Sequence, residues 1–273
     1  MKRHASTFAV SRRFFLRRSL AAGVLASGAA ASTFRSAEAA DASTEKTESR
    51  EGGYRSLFDG KTLDGWHAWS KGRWQVEEGT ITGEQNPPGR GGVLLSDEKF
   101  GDFDLLIDIK PDWGIDSGLF VRSTERGQAW QVAVDYIHGG YVGQIYGQGL
   151  GGFNTRSFTI LGEYEDPETR ERLTGLRAVP YRRPEGAQLD YAVTPEAWLK
   201  AWKLNQWNTL RVRVVGQLPE ITTWLNGTKL LHFNARTYNH PRYDPAEAAK
   251  IAPRKGSIGL QVHGGVPRWR PGA

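Results

Sequence analysis

The chain has 273 residues, with 36 Lys or Arg against 30 Asp or Glu, a formal charge of +6 and no cysteine. Residues 1–40 hold seven of the basic residues and one of the acidic residues, which leaves 29 of each and no net charge in the rest of the chain. This balance excludes the basic surface of a nucleic-acid-binding protein, and the lack of cysteine excludes a disulfide framework and a cysteine-linked lipid anchor.

The first 40 residues are predicted to be a twin-arginine signal peptide. Residues 11–16 read Ser-Arg-Arg-Phe-Phe-Leu, and an alanine-rich apolar stretch follows over residues 19–31. The small residues Ala37, Ala39 and Ala40 suit a signal peptidase. The apolar stretch is too short for a permanent membrane span, so we expect a periplasmic or secreted protein with no transmembrane segment. The alternative for this segment is a disordered basic arm.

After a predicted linker over residues 41–53, residues 54–273 are predicted to form one all-β domain. Apolar residues alternate with polar ones in short runs, as in strands with one buried face. In the run 103–110, for example, Phe103, Leu105 and Ile107 share one face. Ten or more such strands with hairpin turns favour an antiparallel β-sandwich. The strands are expected at 74–76 and 81, 93–95, 103–110, 119–123, 130–136, 141–146, 207–215, 221–225, 229–233 and 257–263, the last in the chain.

Residues 153–206 interrupt this rhythm and are predicted to be an insertion that forms a lid or rim. Helices are expected at 167–173 and 194–202, the second capped by Thr194. A further short helix is expected after Asp244, which begins an Asp-x-x-Glu capping box. Asn226-Gly227 between two alternating runs predicts a tight hairpin turn.

One hairpin, residues 130–146, predicts the floor of a polar groove. Alternation places Gln131 and Asp135 on the face opposite to the buried valines. Tyr146 and Gln148 follow in a glycine-rich stretch, and Arg122 is predicted to face the same groove from a neighbouring strand. The alternatives are a solvated sheet face and an ordinary surface arginine.

The sequence contains no nucleophile elbow, phosphate loop or dinucleotide fingerprint. The groove strand offers Asp135 alone, so a double displacement by paired carboxylates on that strand is unsupported. A divalent metal such as calcium could be held by Asp116, Asp135 and His263, although no ligand spacing certifies this.

Several motifs resemble the 3-keto-disaccharide hydrolase domain family, formerly a domain of unknown function. The likeness covers about residues 54–263 and is carried, in family order, by segments 56–66, 116–122, 129–136, 145–149, 207–208, 225–227 and 259–263. It implies an exported concanavalin-like, laminin-G-like jelly roll, and some members cleave 3-keto-glycosides.

A ketone at C3 acidifies the C2 proton, so cleavage requires a base, an enolate stabiliser and an acid for the leaving group. On this resemblance the base is Asp135 or His263, and the stabiliser is Arg122 or a divalent metal. The predicted sugar contacts are Gln131, Tyr146, Gln148, Gln261 and Asp116.

This chain departs from the family pattern in three places. Asp116 stands where relatives usually have Asn, Gln148 stands where they have Glu, and the chain lacks the usual final strand after residue 263. The alternatives to an enzyme are a lectin-like carbohydrate-binding module and an envelope protein that pairs through an open C-terminal edge. The sugar, the linkage and the oligomeric state are not predicted.

Overall fold

Two antiparallel sheets enclose one core in the computed structural model, which describes residues 15–18 and 54–272. One sheet has nine strands in the order β12-β15-β14-β13-β6-β17-β4-β3, with β1 also paired to β6, and the other has six in the order β2-β5-β16-β7-β8-β9. A separate hairpin consists of β10 and β11. The strands are β1 (Phe15–Arg18), β2 (Trp66–Ser70), β3 (Arg73–Glu77), β4 (Thr80–Glu84), β5 (Gly92–Ser96), β6 (Phe103–Ile109), β7 (Gly118–Ser123), β8 (Ala129–Val134), β9 (Val142–Gln148), β10 (Phe158–Tyr164), β11 (Leu173–Pro180), β12 (Tyr191–Ala192), β13 (Asn208–Val215), β14 (Glu220–Leu225), β15 (Thr228–Asn234), β16 (Ser257–Val262) and β17 (Arg268–Pro271).

The core lies between the two sheets, as the alternation predicts. Phe103, Leu105 and Ile107 of β6 are fully buried, and so are Leu119 and Val121 of β7 in the opposite sheet. Each such side chain stabilises the fold by about 1.5–3 kcal/mol relative to exposure. The predicted antiparallel β-sandwich of the jelly-roll type is therefore confirmed.

Two short helices begin where their caps predict. The helix α1 (Pro195–Ala201) is capped by the Thr194 side chain, which accepts a hydrogen bond from the Ala197 amide. In α2 (Pro245–Ile251), the Asp244 carboxylate accepts from two amides of the first turn. Such caps satisfy amides that have no partner within the helix.

The helix predicted at residues 167–173 is wrong. Most of this segment is the turn between β10 and β11, and Leu173 begins β11. Asp166 organises the turn, because its carboxylate accepts from the amides of Glu168 and Thr169. This side-chain capping is typical of turns and competes with helix formation.

The expectation that the chain lacks a final strand is also wrong. Residues 268–271 form β17, which pairs with both β4 and β6. Trp269 lies opposite Ile81 and Ile109 and is buried in the core. The envelope-pairing alternative depends on an open strand edge left by a missing final strand. Strand β17 fills this position by pairing with β4 and β6.

The predicted signal peptide and linker lie outside the described residues, apart from residues 15–18. Within the described part of the chain, no helix is long and apolar enough to cross a membrane.

Candidate functional site

The outer face of the six-stranded sheet carries the polar side chains that point away from the core. The register aligns Gln131 of β8 with Phe120 on one side and Tyr146 on the other. It also aligns Gln261 of β16 with Val93 and, through it, with Trp69 of β2. Paired residues project to the same side of a sheet. We call this surface, with Trp69, Gln131, Tyr146, Gln148 and Gln261, the outer face.

Two glutamines at the middle of the outer face contact each other. The Gln131 side-chain amide donates to the Gln261 side-chain oxygen at 2.9 Å and lies 3.4 Å from the Ser117 carbonyl. Gln131 is buried and Gln261 is partly exposed. Because amide side chains offer both hydrogen-bond donors and acceptors, this pair is able to bind a polar ligand.

A hydrogen-bonded chain of two carboxyl groups and an imidazole lies at one end of the outer face. The His263 ring nitrogen Nδ1 lies 2.7 Å from Asp116 Oδ2, and Asp116 is also hydrogen-bonded to Asp135. The backbone holds this arrangement: the amides of His263 and Gly264 both donate to the Asp116 carbonyl. Ile115, just before Asp116, bridges to Tyr136, just after Asp135. We call Asp135, Asp116 and His263 the carboxylate–histidine chain.

The Asp135 carboxyl group lies in a largely desolvated place beside a second carboxyl group. Burial, together with the neighbouring Asp116 charge, raises its pKa from 3.8 to about 8. Two adjacent carboxyl groups in a poorly solvated place cannot both ionise easily, which favours the protonated form of Asp135. At neutral pH Asp135 is therefore a neutral acid, able to donate a proton.

Arg156 is the cation beside this acid. It lowers the pKa of Asp135 against the larger effect of burial. Its guanidinium carbon lies 5.2 Å from the ring centre of Tyr141 and 4.6 Å from that of Tyr181, and its Nη2 donates to the Gly139 carbonyl and to Thr159. Contacts with two aromatic faces and a backbone oxygen fix its position.

The loop before β5 supports His263 from the other side. The Gln85 side-chain amide donates to the His263 carbonyl at 2.6 Å. A Cβ at Gly91 would lie only 2.1 Å from the Val262 carbonyl oxygen, so this position accepts only glycine. The His263 backbone is thereby held, while its side chain is 65% exposed and accessible to a ligand.

The divalent metal expected at Asp116, Asp135 and His263 stays a prediction. Within residues 54–272, no group of three or more His, Cys, Asp or Glu is arranged to hold a metal ion. Asp116, Asp135 and His263 do lie together, but as a chain joined by hydrogen bonds. We derive no step through a metal.

Comparison with known proteins identifies the family of this chain. The model of the 3-keto-alpha-glucoside-1,2-lyase-like domain matches residues 53–271. The chain belongs to this family. A 3-keto-disaccharide hydrolase of Bacteroides thetaiotaomicron is 37% identical over 82 residues, which are 27% of this chain and 28% of that protein. The match therefore spans less than a third of that relative.

Solved structures resemble this 3-keto-alpha-glucoside-1,2-lyase-like domain more distantly. A Parabacteroides distasonis protein, described only provisionally as a glycosyl hydrolase, is 17% identical over 79% of this chain and 90% of its own, with a TM-score of 0.44. The carbohydrate-binding module CBM66 of Bacillus subtilis is 13% identical over 76% of this chain and 92% of its own, with a TM-score of 0.39.

Most of the side chains predicted for the site lie on one surface of the lyase-like domain. Gln131, Tyr146, Gln148 and Gln261 lie on the outer face, with Tyr146 and Gln148 partly exposed on β9. Asp116, Asp135 and His263 form the carboxylate–histidine chain at its end. The placement of these residues agrees with the predicted groove, and their roles remain proposals.

Arg122 does not reach the outer face, so its predicted placement is corrected. Its φ of +52° lies in a bulge, where three residues of β7 oppose two of β16, and the alternation is broken at this point. The guanidinium is fully buried and donates to the carbonyls of Gly101, Gly216 and Gln217 and to Asp102. All three guanidinium nitrogens thus donate to groups of the protein itself.

We predict that Arg122→Met lowers the free energy of unfolding by about 3 kcal/mol, because several buried acceptors lose their partner. Activity per folded molecule should remain within about twofold, since Arg122 contacts no part of the site. Urea denaturation and turnover normalised to folded protein measure the two effects. The matched control is Arg213→Met, an exposed arginine of β13, expected to change stability by less than about 0.5 kcal/mol. Equal losses in both variants would contradict the assignment.

Sequence reasoning missed Arg156 and Gln85. Arg156 lies in the segment treated as an insertion, where no periodic pattern indicates which way a side chain points. Gln85 contacts residue 263 across 178 positions of sequence. A local signal for either residue is absent, because both contacts depend on loops that pack against the strand ends.

Proposed function

We propose that this protein is an exported enzyme that cleaves 3-keto-glycosides by elimination between C1 and C2. The observation that carries the proposal is the carboxylate–histidine chain, which presents an exposed imidazole and a protonated carboxyl at one end of a polar sheet face. Family membership supports the same chemistry.

His263 is the base. With the Asp116 carboxylate accepting from Nδ1–H, the other ring nitrogen, Nε2, is left without a proton and can take the C2 proton of the substrate. The Asp116 charge then stabilises the imidazolium that forms. Asp116 therefore orients His263 rather than touching substrate.

Asp135 is the acid. As the C2–H electron pair forms the C1=C2 double bond, the C1–O bond breaks and its electrons go to the leaving oxygen. The neutral Asp135 carboxyl gives that oxygen its proton, and its raised pKa keeps it protonated at neutral pH. The product is an unsaturated 3-keto sugar, to which water can later add.

Arg156 stabilises the negative charge that develops on the C3 oxygen. Its position beside Asp135 and over Tyr141 supports this role. Burial raises the pKa of Tyr141, which keeps this phenol neutral in the site. Gln131 and Gln261 then bind hydroxyl groups of the sugar.

The test compares 3-keto-glycosides with their parent glycosides, and with substrate deuterated at C2. Elimination predicts turnover of the keto forms alone and a slower rate for the C2-deuterated sugar. It also predicts an enone product, which is detected by its ultraviolet absorbance. Turnover of the parent glycosides without an effect of C2 deuterium would contradict the proposal. Parallel assays with chelator and with added divalent metals test the metal alternative.

The second candidate is a non-catalytic carbohydrate-binding module. The partly exposed amide pair and the aromatic side chains of the outer face favour it, because binding requires nothing more. Saturable binding of sugars without any turnover of keto forms would establish this alternative. The proposed periplasmic or secreted location is tested by fractionation of cells that produce the full chain and a variant with Arg12 and Arg13 replaced by Lys.

A further inference from the structure

An exposed tryptophan lies on the outer face, away from the carboxylate–histidine chain. Trp69 is 36% exposed and belongs to β2, at the edge of the six-stranded sheet. The register places it beside Val93, which in turn pairs with Gln261. Two strand spacings, roughly 10 Å, therefore separate its backbone from that of Gln261.

The Trp69 ring has a fixed position. It packs against Gly127, where an added Cβ would lie 2.6 Å from the ring atom Cζ3, and this glycine has a φ of +71°. The turn that carries Gly127 is itself held over the outer face, because Glu125 pairs with both His67 and Lys99. A ring held in this way loses little conformational freedom when a ligand stacks on it.

The sheet surface near Trp69 is apolar. Val93, Leu95, Phe120 and Ala129 form a small buried cluster on this side of the sheet, separate from the main core. Val93, the cross-strand neighbour of Trp69, belongs to this cluster, so the sheet surface next to the indole is apolar. From Trp69 the outer face continues to the Gln131–Gln261 pair and then to His263, a path long enough for two hexose rings in sequence.

We propose that Trp69 is the stacking platform of a second sugar subsite, which binds the leaving-group sugar of a 3-keto-disaccharide. This rests on the proposed function and deepens it. The apolar face of a pyranose ring packs on the indole, while the keto sugar lies at the carboxylate–histidine chain. The subsite selects glycosides whose leaving group is itself a sugar over those with a small leaving group.

The test uses Trp69→Ala and Trp69→Phe with two substrates, a 3-keto-disaccharide and a methyl 3-keto-glucoside. For Trp69→Ala, KM for the disaccharide should rise about tenfold, the effect of losing one aromatic contact, while kcat/KM for the methyl glycoside stays within about twofold. Trp69→Phe should retain part of the affinity. The control is Trp224→Ala, which removes a tryptophan from β14 of the other sheet, where it stacks with Arg211.

Equal losses on both substrates, or no loss on the disaccharide, would overturn the subsite. If the wild-type protein turns over neither substrate, the proposed enzyme function has failed. Calorimetric measurement of the binding of the same two sugars then tests the subsite separately. The subsite is supported if Trp69→Ala weakens the binding of the disaccharide and leaves the binding of the methyl glycoside unchanged. Absence of binding to either sugar would overturn both proposals.

Discussion

Replacing His263 by Gln should lower kcat on a 3-keto-disaccharide by about 10²–10⁴-fold, the contribution typical of a positioned general base. Glutamine can still donate a hydrogen bond to Asp116 but cannot accept the C2 proton at neutral pH. The dissociation constant of the sugar should change by less than about threefold, because His263 is not a main binding contact. Single-turnover kinetics and calorimetry measure the two quantities.

His232→Gln is the matched control for this variant. His232 lies on β15 of the nine-stranded sheet, where its ring contacts Thr222 at 2.9 Å, and it takes no part in the site. Its replacement should leave kcat unchanged. An unchanged kcat in His263→Gln would refute His263 as base, and a loss of binding in parallel with kcat would favour a role in affinity.

Asp135→Asn should make the protein more stable at pH 9, with a much smaller gain at pH 5. In the folded protein the pKa of Asp135 is raised to about 8, whereas the unfolded chain has the ordinary value near 3.8. Between these values the folded state binds a proton that the unfolded state releases, so wild-type stability falls as pH rises. Asparagine imitates the neutral carboxyl and removes this dependence.

The expected gain in the free energy of unfolding at pH 9 is on the order of 2–4 kcal/mol. This is less than the full shift of the Asp135 pKa implies, because Asp135 is partly exposed. For a domain of this size that raises the melting temperature by about 5 °C or more. Thermal melts at pH 5, 7 and 9 measure it, with Asp64→Asn, an exposed carboxyl before β2, as control. A difference that does not grow with pH would show that Asp135 is ionised in the folded protein.

Local sequence patterns predicted correctly most structural features that depend only on residues close together in the sequence. The alternation in β6 predicted its buried face, Thr194 and Asp244 predicted the starts of both helices, and Asn226-Gly227 predicted a turn in which both residues have positive φ. The turn after Asp166 was misread, because the same residue types cap helices and turns.

Resemblance and alternation together placed most of the candidate site. Gln131 and Gln261 were predicted to face one groove, and they contact each other across a third strand. The proximity of Asp135, Asp116 and His263 could not be derived from spacing, since it depends on which strands are neighbours in the sheet.

The sequence alone therefore determined the all-β class and the buried strand faces, and the family resemblance supplied the candidate acid–base residues. Only the tertiary structure decided that a bulge turns Arg122 into the interior and that Arg156 takes the place of a cation at the site. It also decided that burial and the neighbouring Asp116 charge raise the pKa of Asp135 to about 8. The physical reason is that pKa values and side-chain directions depend on desolvation and on contacts between distant segments, which no local pattern contains.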